Sequence, residues 1–88
     1  MATTIEQYLI KRANLIISIQ NDYEMLETWK HKEFMTFDRL PQSDKFIVVL
    51  CGFQTVHDML EDTRKLIERK KKSLSRLEKK IKKLNEWI

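Results

Sequence analysis

Residues 46–88 read FIVVLCGFQTVHDMLEDTRKLIERKKKSLSRLEKKIKKLNEWI. A single stripe runs through this stretch at alternating steps of three and four. Its positions are Phe46, Val49, Phe53, Val56, Leu60, Thr63, Ile67, Lys70, Leu74, Leu77, Ile81, Leu84 and Ile88, and eleven of the thirteen are apolar. Such spacing, held without a change of phase, lines one side of a helix and is the signature of a coiled coil. The reading therefore predicts one long second helix. Thr63 and Lys70 interrupt it, and a lysine at such a position can set register or partner number. Gly52 is its weak point, where a kink can form at ~1 kcal/mol.

Upstream, Thr4-Ile5-Glu6-Gln7 has the form of a capping box, in which hydroxyl and amide side chains satisfy each other's backbone N–H groups. A first helix is expected from about residue 4 to about residue 31. The stripe Ile5, Leu9, Ile16, Ile19, Tyr23 and Leu26 lies on one face, with Arg12 interrupting it. Tyr8, Leu15 and Trp29 form a second line. Arg12 is expected to pair with Asp58 or Asp62 across the hairpin, or to face a ligand cavity. His31 to Ser43 is the connection. Pro41 disfavours helix at Leu40 and suits the start of the next helix, with Ser43 or Asp44 as cap.

The fold expected is all-α: an antiparallel helical hairpin over residues 1–72, with residues 73–88 as a basic coiled-coil extension of the second helix. At ~1.5 Å per residue the helices would be roughly 40 and 65 Å long. The first would cover the second only to about residue 72, leaving the seam beyond without a partner in the chain. FIVVLCGF is apolar all round, and 88 residues bury a limited core. Both point to a homo-oligomeric bundle of at least four helices.

The single cysteine, Cys51, has no internal disulfide partner and reads as a small buried thiol. Met1 to Gln7 lacks the basic start and apolar core of a signal peptide. No apolar run approaches the ~20 residues that span a bilayer. A cytoplasmic protein without membrane attachment is expected.

The net charge of +4 hides an asymmetry. Residues 64–88 hold eleven Lys or Arg against three Glu, whereas residues 1–63 are net acidic. Arg69, Lys72, Arg76, Lys79 and Lys83 form a basic ridge opposite the seam. This ridge is either a solvated face or a salt-dependent contact for a polyanion or an acidic partner. Sequence-specific DNA binding is disfavoured, since no recognition helix is evident.

No phosphate loop, HExxH, paired Cys-x-x-Cys or nucleophile elbow occurs, so neither an enzyme nor a metal or cofactor site is expected. His31 and His57 lack metal-ligand spacing, and His57 reads as a partly buried structural residue. Near the turn, Tyr23, Trp29, Lys30, His31, Lys32, Phe34, Phe37, Arg39 and Lys45 mix flat rings with positive charge, the combination that stacks on bases and meets phosphate. Of these, Tyr23, Trp29, Lys32, Phe37, Arg39 and Lys45, together with Tyr8 and Arg12, are the candidate ligand-binding residues. The alternative is that Tyr23, Trp29, Phe34 and Phe37 plug the bundle end while the charges face water.

Phe37, Leu40, Pro41 and Asp44, followed by FIVVL, give a loop of the form Phe…Leu-Pro-x-x-Asp before an apolar helix. This layout, over about the first 67 residues, resembles small phage-encoded helical-hairpin proteins, among them the anti-CBASS sponges that bind cyclic dinucleotides. The resemblance implies a phage setting, a homo-oligomer and capture of a small signalling ligand. The competing expectation is an adaptor that docks on a host or phage protein, or on nucleic acid, through the basic tail.

Overall fold

A computed structural model describes residues 4–86. Helix α1 (Thr4–Trp29) runs through two 3-10 turns, Lys30–Lys32 and Phe37–Arg39, into the short helix α2 (Gln42–Leu50). Helix α3 (Val56–Glu86) then returns along α1. The described residues measure 58 × 23 × 18 Å, an elongated hairpin with α2 tucked at its turn end. No helix among them is long and apolar enough to cross a membrane.

The expected long second helix is two helices. Gly52 ends the first, with φ of +82°. Its N–H reaches the Val49 carbonyl at 2.9 Å, and the Phe53 N–H reaches the Val48 carbonyl at 3.1 Å. This pair of reversed bonds is a Schellman cap, which satisfies the last carbonyls and needs a left-handed residue that glycine supplies at least cost. Thr55 starts the second: its Oγ1 accepts the Asp58 N–H at 3.0 Å. Neither Ser43 nor Asp44 caps α2; Pro41 stands at its N-cap. Asp44 is buried in the first turn, where it takes Lys32 at 2.6 Å.

The core at the turn is Leu40, Val48, Val56, Met59 and Leu60, with Met25, Leu26, Trp29, Met35, Phe37 and Phe53 packed around it. From Val56 onward the heptad holds. Val56, Leu60, Thr63, Ile67, Leu77 and Ile81 are buried, and Lys70 is part-buried. Ile88, the last heptad position, lies outside the described residues.

The α1 face turned to α3 is Ile5, Tyr8, Arg12, Leu15, Ile19, Asp22, Leu26 and Trp29, all buried or half-buried. Of the expected stripe, Leu9, Ile16 and Tyr23 are exposed. The inner face combines Ile5, Ile19 and Leu26 of that stripe with the second line, Tyr8, Leu15 and Trp29. Register is fixed by Lys70, whose Nζ lies 2.6 Å from both Asp22 Oδ2 and Ser18 Oγ. Because α3 begins at Val56, α1 covers it further than expected: Leu77 and Ile81 are buried within the chain. The same register puts Arg12 alongside the Ser73–Lys80 level. It is thereby at least ~16 Å along the helix axis from Asp62 and further from Asp58, so neither expected pairing forms. Cys51 is exposed at the α2 C-cap, not buried, since the helix stops before it.

Candidate functional site

The expected ligand set does not converge on one place. At the turn, Trp29, Phe37, Lys32 and Lys45 each have an internal partner or a place in the core, and among the described residues Arg39 has neither. Lys32 sits 5.2 Å from the Trp29 ring centroid while bonded to Asp44. Lys45 sits 5.7 Å from the Phe37 ring. Trp29 and Phe37 pack on the core, and Arg39 is exposed. Trp29 and Phe37 close the turn end of the hairpin, whereas Phe34 and Tyr23 are exposed. Tyr23 lies midway along α1 with Lys71 5.2 Å from its ring, and hydrogen bonding to Tyr23 holds the Lys71 ammonium above its ordinary range.

Tyr8 belongs to a different constellation. A groove of about 450 Å³ opens between α1 and α3, lined by Tyr8, Lys11, Asn14 and Leu15 on one side and Ser73, Arg76, Leu77 and Lys80 on the other. Three cations enter this lining and no carboxylate does. Leu15 and Leu77 make its apolar part, Tyr8 contributes a ring, and Lys11 lies 5.9 Å from that ring. Arg12 stands on the same face between Tyr8 and Leu15. Of the expected ridge, only Arg76 enters the groove; Arg69, Lys72, Lys79 and Lys83 are exposed on the outside of α3.

The sequence reading missed Lys11, Asn14 and Lys80. Their signal was the inner face of α1: once Tyr8, Leu15 and Asp22 are placed against α3, antiparallel register brings residues 8–15 beside residues 73–80.

A second missed cluster joins the loop to α3. Glu33, buried, accepts two bonds from the Arg64 guanidinium at 2.7 and 2.8 Å. His57 Nδ1 lies 2.8 Å from the same carboxylate, and Arg64 also reaches Glu61 at 2.5 Å. Phe34 stacks on His57 with ring centroids 5.6 Å apart. Hydrogen bonds from Arg64, then from His57, lower the Glu33 carboxyl from 4.5 to about 2; bonding to Glu33 and then Glu61 raises Arg64 above its ordinary range. Glu33, His57 and Glu61 offer ligand atoms within 4.8 Å of one another, the spacing of a metal site. The guanidinium already supplies the positive charge a metal ion would bring, so the cluster acts as an ion-paired clasp. His57, Glu61 and Arg64, at steps of four and three, were its legible half.

No family model matches this chain, and neither a curated protein nor a solved structure matches it.

Proposed function

We propose that this chain is a non-catalytic helical binding module that captures an anionic organic ligand of nucleotide type in the groove between α1 and α3. The observation that carries the reading is the groove lining, where Tyr8, Lys11, Arg76 and Lys80 converge with two leucines and without a carboxylate. A ring and an apolar wall take a base, and a guanidinium with two ammonium groups takes phosphates. The likeness to phage sponges would make the ligand a cyclic dinucleotide and the setting the cytoplasm of an infected bacterium, with the protein acting against antiphage signalling as a homo-oligomer. The site differs from the one the sequence suggested, because Trp29, Lys32, Phe37 and Lys45 at the turn are already engaged within the chain.

The test is isothermal titration with 3′,3′-cyclic GMP–AMP and, in parallel, linear nucleotides. Saturable heat is expected. Tyr8→Ala or Arg76→Ala should weaken binding by about 1–3 kcal/mol, and Arg39→Ala at the turn should leave it unchanged. Equal affinity in the Arg76→Ala protein would overturn the site.

A second reading rests on α2. Phe46, Ile47, Val49 and Leu50 are exposed side by side, with Phe34 84% exposed at the same end. A patch of this kind marks a docking surface. On this reading the chain is an adaptor that seats α2 on a host or phage protein while the basic ridge meets an acidic surface. Absence of heat with every nucleotide, together with a host protein retained by the native chain and lost on Phe46→Asp, would favour it.

A further inference from the structure

We infer that α1 carries a second, self-complementary face through which two copies of this chain pair antiparallel about a two-fold axis at Ala13. Leu9, Ile10, Ala13, Ile16 and Ile17 are all exposed, with Ile10 57% and Ile17 55% open to solvent. At about 100° per residue they fall in one arc, turned away from the stripe that packs on α3. Helix α2 sits at the turn end and leaves this N-terminal half of α1 uncovered.

The pattern within the arc identifies the occupant. Apolar residues stand at −4, −3, +3 and +4 from Ala13, so the face reads the same in both directions. Laid antiparallel on itself, it sets Leu9 against Ile17 of the second copy and Ile10 against Ile16. Ala13 meets Ala13 at the crossing, where a small side chain lets two helices approach to about 8 Å. One turn further out, at −7 and +7, Glu6 and Gln20 supply a polar rim. Lys11 and Arg12 lie off the arc, so the symmetry axis brings no like charges together. In an isologous antiparallel pairing each residue meets its mirror position, and within this arc every such match is apolar on apolar. This face is separate from the nucleotide groove and does not depend on it.

Light scattering of the full chain should give twice 10.7 kDa. Ile17→Asp enters the symmetric interface twice, and it should raise the dimer dissociation constant by roughly 100-fold. Helix content should hold, because Ile17 is exposed within one chain. Cysteine pairs then read the geometry in a Cys51→Ser background, which removes the exposed native thiol. Ala13→Cys should oxidise to a covalent dimer. Leu9→Cys and Ile17→Cys should do so only when both are present in one chain. A monomeric mass across the accessible concentration range would overturn the inference. So would crosslinking of Ile17→Cys alone as readily as Ala13→Cys, which signals parallel pairing. Dissociation by Phe46→Asp but not by Ile17→Asp would place the interface on α2 instead.

Discussion

A carboxylate as buried as Glu33, at 7% exposure, is tolerated only when fully paired. Arg64 gives it two parallel N–H donors, a fork geometry that lysine cannot reproduce. With the carboxylate ionised, His57 carries its proton on Nδ1 and donates the third bond. The clasp ties the loop after α1 to the first turns of α3. Its stability has a definite pH signature. The folded carboxyl sits at about 2 against an ordinary 4.5, so it binds its proton less readily folded than unfolded. Its contribution is fully present above pH 4.5 and is lost as pH falls towards 2. Urea unfolding followed by circular dichroism should show stability falling more steeply across that window in the native protein than in Glu33→Gln. Parallel curves would mean that the clasp is not formed in solution.

At the scale of elements, each long helix carries polar residues on its inner face, and their pairing specifies how the helices slide. Asp22 and Lys70 are level in one register only, with Ser18 closing the lysine's second bond. Replacing either alone strands a part-buried charge, so Asp22→Leu or Lys70→Leu should each cost about 1–3 kcal/mol. The double variant should cost less than the sum of the two in denaturant titration, since an apolar pair fills the same layer. Strict additivity would show that the pair carries no register information. These inner charges also explain what the sequence hid. The expected α1 stripe was Ile5, Leu9, Ile16, Ile19, Tyr23 and Leu26, interrupted by Arg12, whereas the true inner face keeps Ile5, Arg12, Ile19 and Leu26, adds Tyr8, Leu15 and Trp29, and carries the charged Asp22. The positions from Val56 to Leu84 were legible because a long periodic run outweighs two polar interruptions. The break before Val56 was also written locally, as Gly52 followed by Thr55-Val56-His57-Asp58, a C-cap glycine and then a hydroxyl cap. The uninterrupted phase of Phe46, Val49 and Phe53 masked it. Phase continuity cannot distinguish a helix from two helices that happen to keep step. The groove was legible only in part: Tyr8 and Arg76 were singled out, but their meeting depends on a register that the Asp22–Lys70 pair sets.

For the whole molecule, the break changes what the basic C-terminal half is for. An unbroken second helix would have left its seam without a partner inside the chain. Starting α3 at Val56 shifts the pairing so that α1 lies along nearly all of it, and the leucine–isoleucine seam becomes intramolecular core. The outside of α3 keeps its ridge of Arg69, Lys72, Lys79 and Lys83 in solvent. On the pairing inferred above, folding and association draw on different faces: α3 is held by the inner face of α1, and the outer face of α1 would meet a second copy. Leu77→Ala separates the two roles. If Leu77 packs within one chain, truncation should destabilise the protein by about 2–4 kcal/mol through lost burial and a residual cavity. The loss should persist in an Ile17→Asp background, where association is already broken. A seam used between chains would behave in the opposite way. Leu77→Ala would then lower the apparent melting temperature only at concentrations where the oligomer forms, and it would leave the dissociated chain as stable as before. Thermal unfolding of the single and double variants across a range of concentrations distinguishes these outcomes, and the burial of Leu77 and Ile81 predicts the first.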